Sequence, residues 1–382
     1  MARALPLEGV KVLEFCQVAA GPFCGMLLAD FGADVVKIEN ANGGDSLRQW
    51  PPLRGGFSEN FASLNRNKRS LALDLKTPDG IDLAKRLSRQ ADVIVENNRP
   101  GVMDRLGLGY AQILALNPSI VYASISGFGQ VGPRAGEGGF DVTIQAIAGV
   151  MSVTGEQQGG PVKCGVPISD FSAGLYAAFS IASALRQVER DGEGRHIDIS
   201  LLGATLGVAA LQTSEYFGTG KSPKRLGSAH PRNAPYEMFQ ACDGFFVLAA
   251  GNDKLWRSVC EVVGQPQLSN DHRFATNSLR ASNQAELKSI LEKAFSARSC
   301  EEWLKEFRAA GIPCAPINDY AAALEDPQVS AMEWVKGIKL PNGKDTLTFA
   351  SPIRLDERSL PIRRNPPALG EHNEEIANGL FG

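Results

Sequence analysis

A chain of 382 residues with 43% hydrophobic and 21% charged residues has apolar material for more than one core and the balance of a globular protein. A formal net charge of −3 argues against a nucleic-acid binder, which needs a basic face, and against a membrane-surface protein. Seven cysteines (Cys16, Cys24, Cys164, Cys242, Cys260, Cys300 and Cys314) are scattered without a C-x-x-C pair or a His/Cys cluster. They read as reduced thiols of a cytoplasmic protein with no metal site. The opening MARALPLEGVKV has no leader-like apolar core, and no stretch is expected to span a bilayer, since even Ile168–Leu185 carries serines, a glycine and Asp170.

The first 217 residues alternate strand and helix. Val10–Phe15 and Asp34–Ile38 are short β-rich runs, and Gly21–Phe31 between them has helical character. Parallel strands need such a crossover. The pattern recurs with a strand at Ser70–Leu75, an amphipathic helix at Gly80–Gln90 after Pro78, and a strand at Asp92–Glu96. A helix at Tyr110–Leu116, a strand at Ile120–Ile125, helices at Val142–Met151 and Asp170–Glu189, and a strand at His196–Ser200 follow. The alternation predicts a doubly wound α/β sheet. Residues 218–234, rich in Gly, Ser, Pro and Lys, read as a linker. A hairpin of Tyr236–Ala241 and Phe245–Ala250 then opens a smaller α+β domain over 235–326, with helices at Lys254–Val263, Gln284–Ala297 and Cys300–Ala309. Residues 327–382 form a return segment, with strands within Glu333–Arg354 and an extended Pro-rich stretch at Leu360–Leu369.

Several motifs fail on context. Gly127-Phe128-Gly129-Gln130-Val131-Gly132 matches G-x-G-x-x-G after a strand, but no helix opens behind it, and the first βα turn, Cys16–Pro22, lacks the fingerprint. NAD binding is therefore not supported. Gly220-Lys221-Ser222 lacks a P-loop's first glycine, whose place is taken by Glu215. Arg66, Lys68 and Arg69 precede one strand, and Arg99 and Arg105 follow another. Cations beside strand ends suit a phosphate-bearing ligand, although from spacing alone solvated loop charge is the better account of them. None of His196, His230, His272 and His372 stands at metal-ligand spacing. His230 lies in the interdomain stretch, where it could reach a substrate.

Gly165–Leu185 holds one acid, Asp170, the only charge between Lys163 and Arg186. The run behind it predicts a helix buried on most of its circumference. A carboxylate at such a helix start is a cap or a reagent. A capping box would place Glu or Gln three residues on, where Ser172 and Ala173 stand. Helix N–H groups would equally keep a nucleophilic carboxylate ionised and aimed. The residues alone leave both open.

The segments GVKVLEFCQVAAGPFCGMLLADFGADVVKIE, LNRNKRSLALDLK, ADVIVENNRPGVMDRLGLGY, SISGFGQVGP, GVPISDFSAGLYAA, AGIPCAPIND and PPALGEHNEEI, in this order, resemble the class III coenzyme A-transferases, the family of formyl-CoA transferase and carnitine CoA-transferase. SAHPRNAPYEMFQACDGFFVLAAGN is similar to the branch that moves CoA between dicarboxylic acids. The resemblance implies transfer of CoA from an acyl-CoA, with succinyl-CoA expected, to a small dicarboxylic acid. The CoA ester is then a substrate, and no metal is involved. The family's acyl-accepting aspartate falls on Asp170, which would pass through an acyl anhydride and a CoA thioester. The family's CoA contacts fall on Ala19, Leu73, Asn97 and Arg105. Its basic residue after the second strand is here Asn40, with Lys37, Lys68 or Arg69 as compensating cations. Phe140, Asp141, His230 and Arg232 are expected near the acid. The related α-methylacyl-CoA racemases carry Gly-His-Asp where this chain has Gly139-Phe140-Asp141, and Phe cannot shuttle a proton. A racemase and a non-catalytic CoA-ester-binding protein stand as alternatives. The resemblance also implies a large Rossmann-like domain built from both chain ends, an inserted smaller domain, and an interlocked homodimer.

Overall fold

The computed structural model describes residues 4–379. Its main sheet has six parallel strands: β1 (Lys11–Phe15), β2 (Asp34–Asn40), β3 (Lys68–Leu73), β4 (Val93–Glu96), β5 (Val121–Ser126) and β6 (Arg195–Ser200). Their order is β3-β2-β1-β4-β5-β6. The chain steps outward from β1 to β3, then returns to the other side of β1 for β4. That reversal opens a crevice at the carboxyl ends of β1 and β4, where doubly wound sheets bind ligands.

Both faces of the sheet are covered, so its central strands can be apolar on both sides. Helices α1 (Ala20–Asp30), α5 (Ile168–Asp191) and α6 (Leu201–Val208) supply one layer, with Val12, Val35, Val95, Ala173 and Ile181 in a common core. Helices α2 (Pro78–Ser88) and α3 (Tyr110–Leu116) serve the other face, with Leu13, Leu87, Ile94 and Ile113. Thr77 caps α2 through Gly80 N, and Pro78 fits its first turn, where no N–H is needed. Ile376, near the far end of the chain, is buried in this second core. Helices α4 (Asp141–Ile147) and α7 (Ala210–Thr219) complete the elements discussed below.

The chain forms two compact units. One gathers the chain up to Val150, Lys163–Lys221 and everything from Pro327; the other holds Met151–Val162 and Ser222–Asp326. The second unit has an antiparallel sheet of β7 (Tyr236–Gln240), β8 (Phe245–Ala249) and β9 (Cys314–Pro316), and a core of Phe239, Phe246, Phe295 and Phe307. From Ser222 on, the stretch read as a linker belongs to this unit, and so does the short excursion Met151–Val162. Composition carries no sign of which core such a segment packs on.

Two further readings change. Leu175 (54% exposed) and Phe179 (73% exposed) show that α5 is not buried on most of its circumference. At 24 residues it is also long and apolar enough to cross a membrane by length and composition. Its Ala173, Ala177 and Ile181 are fully buried against the sheet, which is the work of a core helix. Secondly, β3 begins at Lys68 rather than Ser70, so Lys68 and Arg69 are strand residues and buried.

Under the β1–α1 turn lies a cluster of fully buried charges. Lys37 Nζ sits 2.9 Å from both Glu14 Oε1 and Asp45 Oδ2, and Lys68 Nζ sits 2.7 Å from Glu14 Oε2. Burial works to strip the proton from both lysines. Around Lys37 the carboxylates of Glu14, Asp45 and Glu39 overcome that effect and raise its pKa, whereas Lys68, with Glu14 against it but Lys37 beside it, stays lowered. Lys37 also donates to Cys16 O, and Asp45 accepts from Val18 N and Leu47 N. Val18 is β-branched with φ 65, a strained left-handed conformation held by that bond. Breaking a buried pair leaves its partner uncompensated, so Lys37→Met should destabilise the fold by about 3–5 kcal/mol in urea denaturation. A loss below about 1 kcal/mol would mean that the cluster does not hold the turn.

Candidate active site

Helix α5 begins at Ile168, with Pro167 in the capping position and no side-chain cap of its own. Asp170 is therefore inside the first turn, and the capping alternative falls. The helix is capped from elsewhere: Asp141, at the start of α4, accepts Ser169 N–H at 2.9 Å through Oδ1. Its Oδ2 accepts from Gln145 Nε2 at 2.7 Å, and Gln145 Oε1 accepts Cys164 N–H at 2.8 Å. Phe140 N donates to Thr143 Oγ1, which fixes the start of α4.

Asp170 is partly buried, and among the described residues its carboxylate has no hydrogen-bond or ion-pair partner. Its pKa is raised to about 6, by burial first and the Asp141 charge second. An unpaired carboxylate with a raised pKa at a helix N-terminus makes Asp170 a candidate reagent.

Two hollows adjoin the carboxyl ends of the strands. The crevice at the reversal point, about 320 Å³, is lined by Gln17, Asn40, Leu73, Asp74, Lys76 and Asn98 among others. A smaller one, about 200 Å³, has Asn97, Arg99, Ser126, Gly127, Gly139 and Phe140 in its wall. Gly127 and Gly139 touch there. A Cβ on Gly127 would lie 2.8 Å from Gly139 Cα, so both ends of the loop 128–138 must stay bare. Gly129 (φ 94) and Gly132 (φ 99) turn within that loop.

The candidate residues fall into three groups. Leu73 lines the crevice, Ala19 sits just before α1, and Arg105 is exposed on the short helix Val102–Arg105. Asn97 acts through the turn: Oδ1 accepts Gln17 N–H and Nδ2 donates to Gln17 O. Lys37, Lys68 and Arg69 are corrections. All are buried, and Arg69 is spent on Asp34 and Glu375, so none can replace the basic residue missing at Asn40. Lys76 escapes a reading of the sequence alone. It lies three residues past Leu73 at the carboxyl end of β3, and that register is the available signal. Phe140 is 73% exposed in the wall of the smaller hollow. His230 and Arg232 lie in the second unit, where His230 Nδ1 accepts Arg232 N–H and Asn233 N–H.

The family model of CoA-transferase family III matches residues 7–373. The chain belongs to CoA-transferase family III. It is 39% identical to the succinate–glutarate CoA-transferase of Agrobacterium fabrum, over 98% of this chain and 95% of that protein. It is 37% identical to the human succinyl-CoA:glutarate CoA-transferase, over 97% and 85%. A CAIB/BAIF family protein from Brucella suis has the same fold, with a TM-score of 0.88 and 39% identity over 99% of this chain and all of that one. This protein is thus a CoA-transferase with a mixed α/β fold around a parallel sheet. Among the described residues no group of three His, Cys, Asp or Glu is placed to hold a metal ion. Asp170 should titrate with a midpoint about 6, seen as the carboxyl signal lost from the ¹³C NMR spectrum in Asp170→Asn. A midpoint near 4, the ordinary aspartate value, would refute the environment described here.

Proposed function

We propose that this family III transferase moves CoA from succinyl-CoA to a small dicarboxylic acid, with Asp170 as the nucleophile. The observation that carries this is the unpaired, partly buried carboxylate in the first turn of α5. The names of the relatives supply the substrate class.

In the first step an Asp170 oxygen attacks the thioester carbonyl. The C–S bond breaks, leaving an aspartyl–acyl anhydride and CoA thiolate. The thiolate then attacks the Asp170 side-chain carbonyl, which releases the donor acid and leaves an aspartyl-CoA thioester. The acceptor carboxylate attacks that thioester, re-forming an anhydride and the thiolate. Attack on the acceptor's carbonyl gives the new CoA ester and restores Asp170. Each step exchanges one anionic leaving group for another, so no net proton moves, and covalent catalysis divides a difficult exchange into easier ones. The thiolate must be retained between steps. The reversal-point crevice suits the nucleotide end of CoA, with Leu73 as an apolar wall and Lys76 and Arg105 as cations for its phosphates. Arg99, in the wall of the smaller hollow, would meet the acid's second carboxylate.

We further propose that the working form is a homodimer. Leu175 and Phe179 on α5, with Leu211 (64% exposed) and Phe217 (80% exposed) on α7, form apolar surface that a second copy would cover. Sedimentation should give a dimer, and a monomer at micromolar concentration would defeat this.

Incubation with succinyl-CoA and a panel of acids should yield new CoA esters by mass. Asp170→Ala should lose at least about 1000-fold in kcat, and a variant keeping a tenth of the activity would sink the mechanism. The same panel in deuterated water should show no label at the α-carbon, whereas a racemase would incorporate it. In that panel Arg99→Ala should raise KM for dicarboxylates about tenfold more than for monocarboxylates. Equal effects on the two classes of acid would discard the cation assignment.

A further inference from the structure

Between α4 and α5 the chain passes through the second unit, at Met151–Val162, before it returns at Lys163. The segment that leads into α5 therefore has to be located by contacts rather than by a short connection. Two main-chain N–H groups of this lead-in are captured by α4: Cys164 N–H by Gln145 and Ser169 N–H by Asp141. Gln145 is fully buried and sits one helical turn from Asp141, so both side chains stand on one face of α4. The chemistry fixes the amide orientation. Gln145 Nε2 must face the Asp141 carboxylate, which leaves Oε1 for Cys164.

We propose that Asp141 and Gln145 form one positioning device, a hydrogen-bonded clamp that sets the first turn of α5 and so the direction of the Asp170 carboxylate. The proposal rests on the assignment of Asp170 as the nucleophile. Neither clamp residue is needed as a contact to the acid: Asp141 Oδ1 and Oδ2 each hold a protein partner. Gln145→Leu would keep the bulk but leave the bonds of Cys164 N–H and Asp141 Oδ2 unmade. Asp141→Asn alone would set an amide nitrogen against Gln145 Nε2, donor against donor.

The clamp also carries charge. The elements packed against α5 carry as titratable groups Cys24 and Asp30 on α1, Asp141 on α4, Tyr122 on β5, and Arg195, His196 and Asp198 on β6; α6 has none. Among the described residues, the charge that helps burial raise the Asp170 pKa is that of Asp141. Position and charge can be separated by one exchange, the double variant Asp141→Asn with Gln145→Glu. The amide introduced at the first position can accept from Ser169 N–H through its oxygen and donate through its nitrogen. The carboxylate introduced at the second position can accept both that bond and Cys164 N–H. Every hydrogen bond survives, while the charge moves one turn away.

The test compares Asp141→Asn, Gln145→Leu and the double variant, each checked for a native melting transition. At pH 8, where Asp170 is ionised in all of them, each single variant should lose about 10- to 100-fold in kcat, with KM for CoA ester and acid changed less than about threefold. The double variant should return to within about threefold of wild type. An acid KM that rises as much as kcat falls would make Asp141 a substrate contact and overturn the proposal. So would a double variant no better than its parents. A second arm needs no turnover. The Asp170 carboxyl midpoint, about 6 in the wild type, should fall in Asp141→Asn and lie between the two in the double variant. A midpoint unmoved by Asp141→Asn overturns the proposal even if no transfer reaction is found. If both arms behave as expected but Asp170→Ala stays active, it is the assignment of the nucleophile that fails.

Discussion

Two lysines share one glutamate at the centre of this protein, and the binding face is built on that arrangement. Glu14 is on β1, Lys37 directly opposite it on β2 and Lys68 on β3 two residues out of that register, so one buried carboxylate ties three adjacent strands. Asp45 completes a neutral set of four. Neutrality is the physical requirement, because isolated charges cannot stay ionised without water. What the cluster provides is direction. It holds the carbonyl of Cys16 and, through Asp45, the amide of Val18, which shapes the turn at the reversal point. The space is filled to contact: a Cβ on Gly25 of α1 would come within 1.8 Å of Glu14 Oε2.

Asp170, which we propose as the nucleophile, follows an opposite rule. Asp170 is deprived of partners, and a like charge stands beside it. A carboxylate that is poorly solvated and unpaired is more basic, and hence more nucleophilic, than one at the surface. The helix N-terminus keeps it ionised near neutrality. The charge of the Glu14 cluster is buried and neutralised; that of Asp170 is half-buried and left open.

Much of this is legible in the chain. The strand-helix alternation predicts the parallel sheet because short β-rich runs recur between helical segments, and its helices carry ordinary start signals such as Thr77-Pro78. Asp170 stands out because nothing charged surrounds it in sequence. The misreadings share a cause. Lys68 and Arg69 read as loop cations because the polar run before β3 hides the strand's start. Only three dimensions show that Glu14, Asp34 and Glu375 have already claimed them. In the same way α5 reads as a buried helix because hydrophobicity does not say which of its apolar side chains, such as Leu175 and Phe179, this chain's own core leaves uncovered. Gln145, an unremarkable glutamine in a helix, cannot be singled out from the sequence at all. Its meaning depends on Cys164, nineteen residues on and across an excursion into another unit.

The contact between Gly127 and Gly139 has an evolutionary consequence. Where two stretches of chain meet backbone to backbone, the loop between them leaves and returns at one point. Phe128, Gly129 and Gln130 stay tied to the sheet through the core, Ser126 and Asp198, so change in length or charge is tolerated beyond those contacts, without moving β5 below or α4 after. That part of the loop is an exchangeable piece on a fixed mount. A family that serves many acids with one reaction would gain from varying this segment first, while Asp170, proposed as its nucleophile, stays where it is.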